Sequence, residues 1–417
     1  MENKKLKIFV SAYACEPGLG SEIGVGWHWV LEMSKYFELW VLTRQSNRER
    51  IDAFLQVHPE YRHIRFLYYD LPQWARFWKK GLRGVRTYYN IWQYMTRGIV
   101  KQTMRENGIQ VFHHLTYGNV VWKVSTYGQK QFFVWGPVGG LEYIDKAYAC
   151  HYDWKSRVVE AVRRATSHLS FLNIGFRQRC KHANLILCKT EVTRQRLPEK
   201  YADKAVLFTD VAADITVIDA KQQSGVKADG VTRFITVGRL DAWRGFDLVI
   251  EALAMAVREN PAVHLTIVGE GANRKRLAGL VERHRLQHHV TMTGKVAMEE
   301  YRRLMGASDA VVNAALKEGA VTVSFDSMAM GKPLLCIDTT GYTRYFTDEY
   351  AIVIPNTGRD EVICRLKDGM LRLTDAETRK RLGTAARQKS SELSWEHHGR
   401  NIKEVIETSY KKYLSEL

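Results

Sequence analysis

Two carboxylates, Glu318 and Asp326, stand eight positions apart in "KEGAVTVSFDSMAMGKP", residues 317–333. An ionised carboxylate accepts hydrogen bonds two at a time, which is what neighbouring hydroxyls on a sugar or ribose ring offer. Small and β-branched residues follow the first acid. Glu318 and Gly319 therefore read as a loop, and Ala320, Val321 and Thr322 as the entry to a helix that Gly331 and Pro333 close. The amino end of that helix presents unpaired N–H groups to an anion such as phosphate. The plainer reading leaves Glu318 complementing the helix dipole and Asp326 solvated.

In "VGRLDAWRGFDLVIEAL", Arg239 follows a strand-like run and Arg244 precedes a helical one. Two guanidiniums on one loop suit a diphosphate, because their forked donors match phosphate oxygens and keep their charge. "IQVFHHLTYGN" (109–119) offers imidazoles at His113 and His114. Successive strand residues face opposite sides, so only one of the two can point toward a ligand. "EPGLGSEIGVGWHW" (16–29), containing Glu16, Gly20, Ser21 and Glu22, opens a helix near Ser21, where glycines let the backbone approach a bound group. It is no dinucleotide fingerprint, since Gly18, Gly20 and Gly24 are out of register for G-x-G-x-x-G.

These loops need a scaffold, and the chain supplies one twice. Short apolar runs alternate with helical stretches: "KIFVSAY", "ELWVLT", "IRFLYY", "IQVFHHL", "QFFVWG" and "NLILCK", then "TRFITVG", "VHLTIVG", "HVTMTG", "DAVVNA", "PLLCI" and "AIVI". That alternation predicts parallel sheets covered by helices. Each candidate motif falls just after a run, at the carboxyl end of a strand, where ligands of open parallel sheets bind. The polar stretch "DAKQQSGVKADG" (219–230) separates the two sets, and 417 residues exceed what one core usually supports. The expected organisation is two doubly wound Rossmann-like domains, 1–215 and 216–392, facing across a cleft. A final amphipathic helix within 393–417 packs back toward the first domain.

Composition limits the classes. Hydrophobic content of 45% supports real cores, and no run of eighteen apolar residues or export signal appears, which reads as cytoplasmic. The six cysteines are scattered without Cys-x-x-Cys spacing, against a disulfide frame or structural zinc. A net charge of +17 favours anionic partners.

Taken together, the E-x7-D step, the "GRL…WRG" loop, "IVGEG" (267–271), "VTMTG" (290–294) and "SWE" (394–396) resemble the retaining GT-B glycosyltransferases of family four. "GSEIGVGW" and "VWGPVGG" (134–140) are similar to a bacterial branch that builds surface polysaccharides such as lipopolysaccharide or capsule. The resemblance implies a UDP- or GDP-linked sugar donor bound by the second domain and a saccharide acceptor bound by the first. It implies that Glu318 binds donor-sugar hydroxyls and Asp326 the ribose. Gly20, Gly294, Lys295, Gly319, Ala320, Val321 and Thr322 would complete the donor site. Glu16, Ser21, Glu22, His113, Gly139 and Gly140 would serve the acceptor, and His114 would stand near the donor sugar. The family usually has Glu where Asp326 stands and Lys where Arg244 stands; neither change deletes a charge. The implied mechanism is front-face transfer in which Arg239 and Arg244 stabilise the leaving diphosphate, with no metal or other cofactor.

Residues 72–105 carry eight basic side chains and no acid, interleaved with Trp74, Phe77, Trp78, Tyr88, Tyr89, Trp92 and Tyr94. Cations mixed with interfacial aromatics suit an anionic membrane surface, and 155–182 adds more positive charge. The expected partners are thus a nucleotide sugar, a saccharide or lipid-linked saccharide and the inner face of the cytoplasmic membrane, with no nucleic acid. A GT-B-fold sugar-nucleotide epimerase and a basic nucleic-acid-binding protein are the alternatives; the second leaves Glu318 and Asp326 without a purpose.

Overall fold

The computed structural model of the chain describes residues 5–76, 78, 84–126, 131–215, 229–317, 321–339 and 344–417. Two compact units emerge. The first comprises Met1–Leu141, Thr166–Asp210 and Trp395–Leu417, the second Glu142–Ala165 and Val211–Ser394.

In the first unit, β1 (Lys7–Ser11), β2 (Glu38–Arg44), β3 (Arg65–Tyr69), β4 (Val111–His114), β5 (Phe132–Val138), β6 (Leu185–Cys188) and β7 (Ala205–Leu207) form one sheet. Their order is β3-β2-β1-β4-β5-β6-β7, and every pairing is parallel. The central strands β4, β5 and β6 are buried throughout, as strands covered on both faces must be. One face packs Phe9, Phe112, Phe133 and Trp135 into a core with Tyr88, Tyr89 and Trp92 from the helix Val85–Met95.

The second unit repeats the plan. β8 (Thr232–Val237), β9 (Val263–Val268), β10 (Val290–Gly294), β11 (Ala310–Asn313), β12 (Leu334–Ile337) and β13 (Ala351–Ile354) run parallel in the order β10-β9-β8-β11-β12-β13. In both sheets the strand order reverses beside the first strand, between β1 and β4 and between β8 and β11. Loops leaving those strands diverge there and open a crevice at the carboxyl edge.

Every strand expected from the sequence is present; β7, three half-buried residues at the sheet edge, is an addition. The domain limits differ from 1–215 and 216–392. Glu142–Ala165 clusters with the second unit because Ile144, Tyr148 and Tyr152 enter its core. The helix Trp395–Ser415 belongs to the first unit, lying against the helix Ser21–Tyr36 and bringing Tyr410 and Tyr413 to Phe132. Most of the stretch expected to link the domains, 219–230, lies outside the described residues.

Candidate functional site

The loop that leaves β8 folds tightly onto the segment that follows β11. Gly245 has φ +66, and a Cβ there would lie 2.1 Å from the Ala314 carbonyl oxygen, so only glycine permits the approach. The Leu316 amide donates to the Trp243 carbonyl at 3.0 Å and fixes the register. Arg244 then lies over the Trp243 ring at 4.3 Å while Lys317 approaches the same ring at 4.7 Å. An aromatic face attracts both cations and offsets part of their mutual repulsion.

Arg239 shares this loop. The nearest Arg244 atom to a Cβ built on Gly238 is Nε, 3.6 Å away, so the second arginine folds back beside the turn that carries the first. The Arg239 guanidinium is 61% exposed and reaches Asp241 Oδ2 through Nε at 2.6 Å and Nη2 at 2.5 Å. Lys317 is held from behind by Glu160, 3.4 Å away and 6% exposed, on the helix Trp154–His168. Burial pushes the Glu160 carboxyl above its ordinary range; Arg163 opposes this, and the charge of Asp241 adds to it. Three cations from two loops thus stand at the strand-order reversal, Arg239 held by Asp241, Arg244 by Trp243, and Lys317 by Trp243 and Glu160.

The turns after β8, β9 and β10 stack backbone against backbone. A Cβ at Gly269 would stand 1.9 Å from the Gly238 oxygen, and one at Gly271 would meet Leu240 at 2.7 Å. The Gly269 amide donates to the Gly294 carbonyl at 2.9 Å. This leaves Gly294 at φ +78 and an exposed Lys295 at the rim of the same edge.

Glu318, Gly319 and Ala320 lie outside the described residues. Val321 caps the helix Thr322–Ala329, whose second turn carries Asp326. Asp326 is half-buried and not freely solvated. Its Oδ2 accepts from the Tyr301 hydroxyl at 2.7 Å, and burial raises its pKa to about 6, with Tyr301 opposing and Asp214 adding to the rise.

In the first unit, Gly20 and Ser21 begin the helix Ser21–Tyr36 as expected. Glu22 Oε1 accepts from the Tyr117 amide at 2.7 Å, and Oε2 lies 3.8 Å from Lys189 Nζ, joining the loops that leave β1, β4 and β6. Glu16 pairs with Arg50 at 3.1 Å. Gly139 donates to the Gly118 carbonyl at 2.8 Å, and Gly140, at φ +106, has no room for a Cβ beside Asn119.

The histidines depart from expectation. His113 and His114 do face opposite sides of β4, but both are core residues, 0% and 1% exposed. The cause is that β4 is a central strand covered on both faces. His113 Nε2 lies 2.7 Å from the Gly136 carbonyl and His114 Nε2 3.0 Å from the Tyr89 hydroxyl. Burial lowers their pKa values to about 4 and about 3, leaving both neutral at pH 7.

A second correction concerns residues 72–105. Tyr88, Tyr89 and Trp92 are buried against Tyr13 and are not interfacial; the sheet takes that face of their helix. Trp74 and Tyr94 are exposed, and Phe77, Lys79, Lys80 and Arg83 lie outside the described residues. Sequence reasoning also missed Trp243, Lys317 and Glu160. Lys317 adjoins Glu318 and was in view; its pairing with an acid 157 positions away carries no local signal.

Comparisons with known proteins agree with this architecture. Residues 217–389 match the family described as Glycosyl transferases group 1. An uncharacterized glycosyltransferase of Methanocaldococcus jannaschii is 22% identical over 236 residues, 56% of this chain and 62% of that protein. Alpha-D-kanosaminyltransferase of Streptomyces kanamyceticus is 30% identical over 181 residues, 43% of this chain and 45% of the relative. The chain thus spans less than two thirds of the length of either relative. Among solved structures, Anabaena HepE in complex with UDP and glucose superposes with a TM-score of 0.60 at 15% identity, over 97% of this chain and 99% of that one. The fold is of the GT-B type: two parallel-sheet α/β units, of seven and six strands.

Proposed function

We propose that the chain is a retaining, metal-independent glycosyltransferase. It moves a sugar from a nucleotide-diphosphate donor, UDP- or GDP-linked, to a saccharide acceptor in the synthesis of surface polysaccharide, with the acceptor carried on a lipid. The observation that carries this reading is the seating of Arg244 and Lys317 on Trp243, with Arg239 on the same β8 loop, at the carboxyl ends of β8 and β11. A diphosphate leaving group develops negative charge as its bond to the sugar breaks, and fixed cations stabilise that charge most in the transition state. Arg239 and Arg244 are assigned that role, with Lys317 as a further cation. The matched family, the named transferases and the UDP and glucose held by the Anabaena protein support a nucleotide-sugar donor.

In the proposed step the bond between the anomeric carbon and the phosphate oxygen breaks, and the acceptor oxygen bonds to that carbon on the same face. The departing phosphate oxygen takes the acceptor's proton. Asp326 is assigned to the ribose and Glu318 to the donor sugar. Gly20, Gly294, Lys295 and the Val321–Thr322 helix start are assigned to the donor, and Glu16, Ser21, Glu22, Gly139 and Gly140 to the acceptor. The test is product analysis with a panel of UDP-, GDP-, dTDP- and ADP-sugars and saccharide acceptors. Acceptor-dependent release of nucleoside diphosphate, with retained anomeric configuration and unchanged by EDTA, is the expected result. Isomerised sugar nucleotide without transfer would indicate an epimerase, and loss to EDTA restored by Mn²⁺ would refute metal independence.

A further inference from the structure

Most helices on a folded surface turn their apolar side inward. The helix Trp154–His168 does the opposite. At 100° per residue, Trp154, Val158 and Val162 fall within one 80° arc, with Ala161 and Ala165 close to it. That arc faces outward: the three are 64%, 54% and 58% exposed, and both alanines are exposed. The inward side is polar. Glu160 meets Arg163 and Lys317, and Arg164 donates to the Ile144 carbonyl and stacks on Tyr143 at 4.9 Å. Asp153 starts the helix by accepting from the Ser156 amide at 3.1 Å. The helix is therefore held by ion pairs and hydrogen bonds, while its apolar stripe is left to the surroundings.

The exposure is concentrated. Among the described residues, eight of the seventeen exposed large hydrophobic side chains lie between Trp154 and Ile174. Isolated exposed apolar residues need no explanation, but a contiguous stripe marks a contact. Charge selects the occupant. Within the helix, Glu160 is the only acid and is buried, whereas Lys155 and Arg157 are exposed. Exposed Lys155 and Arg157 border the stripe, and Trp154 stands at its end. A second copy of the chain would set cations against cations there, whereas an anionic lipid surface accepts the apolar stripe among its acyl chains and the cations at its headgroups.

We infer that the helix Trp154–His168 is a membrane-docking element that lies in the plane of an anionic bilayer, with Trp154, Val158 and Val162 inserted. This rests on the proposed function only in that a lipid-linked acceptor gives the contact its purpose. It moves the membrane contact away from residues 72–105, whose helix buries most of its large aromatics. It also places the docking helix in direct contact with the candidate site, since Glu160 on its inner side holds Lys317.

The test is vesicle flotation of the full chain with phosphatidylcholine alone and with phosphatidylcholine containing 30% phosphatidylglycerol. The paired variant V158D/V162D is compared with V57D, which alters another exposed apolar residue. Wild type and V57D are expected to float with the anionic vesicles, and V158D/V162D to bind at least tenfold less with its melting temperature unchanged. Wild type that floats with neither vesicle, or V158D/V162D that floats like wild type, overturns the inference. A wild-type dimer that V158D/V162D dissociates, without lipid binding, assigns the stripe to a second copy and overturns it too. Thermal shift by UDP-glucose and GDP-mannose is measured in parallel. Flotation without donor binding refutes the transferase reading alone, and donor binding without flotation refutes the docking helix alone.

Discussion

Asp241 holds Arg239 by two donors on one oxygen, Nε at 2.6 Å and Nη2 at 2.5 Å, two positions along the same loop. The pair orients the guanidinium and also places a negative charge beside the proposed seat of the diphosphate. An exposed pair of this kind is worth about 0–1 kcal/mol. Replacing Asp241 with Asn should therefore leave stability nearly unchanged and tighten donor binding by up to about fivefold, a free-energy change of about 1 kcal/mol. Isothermal titration with the donor identified by the screen checks this. Binding weakened tenfold would show that Asp241 positions Arg239 more than it competes with phosphate.

Trp243 is the shared support of Arg244 and Lys317. Each cation–ring contact contributes on the order of 0.5–1 kcal/mol. Trp243→Leu keeps an apolar side chain in place but removes the ring face, so donor affinity should fall about five- to thirtyfold, the two contacts together. R244K keeps the charge and should lose less turnover than R244A. Steady-state kinetics on the three variants separates support from charge.

Asp326 and the histidine pair give opposite pH signatures. The Asp326 pKa is raised from 3.8 to about 6 by burial, so the folded state disfavours the carboxylate. The stabilisation of its protonated form is fully present below 3.8 and is lost as pH rises through about 6. Asp326→Asn removes that charge while retaining an acceptor for Tyr301, and should stabilise at pH 8 by on the order of 1–3 kcal/mol, with little effect at pH 4. It should also weaken donor binding, as the assigned ribose contact requires. Chemical denaturation at the two pH values reads the first effect and titration the second.

His113 and His114 run the other way. Their folded pKa values, about 4 and about 3, lie below the ordinary 6.5 because burial disfavours the charged ring. The stability they carry is present above 6.5 and is lost as pH falls toward those values. His114→Ala should cost about 2–4 kcal/mol through the cavity and the stranded Tyr89 hydroxyl, yet leave turnover per folded molecule within about threefold. Melting curves and active-site-normalised rates check it. A folded variant with turnover a hundredfold down would return His114 to the chemistry.

The strands were legible because each is a short apolar run, and twelve of thirteen were expected; β7 carries only three half-buried residues and no periodic signal. Arg239 and Arg244 were legible as donors on one loop. The meeting of Arg244 with Lys317 on Trp243 was not, because it depends on Gly245 passing Ala314, a contact between segments about seventy residues apart. The histidine pair shows the limit of alternation. Period two places the rings on opposite faces, but burial of both faces depends on which strands flank β4. Spacing alone does not say which way Trp154, Val158 and Val162 face; their exposure, with Glu160 buried on the opposite side, does.

The central claim is that guanidiniums gathered at the carboxyl ends of β8 and β11 grip a diphosphate. The most direct measurement is donor binding to wild type and to R239A/R244A by isothermal titration, with melting temperatures recorded for both. The account predicts unchanged folding and donor affinity reduced at least a hundredfold in the double variant. Equal affinity in the two proteins would contradict it.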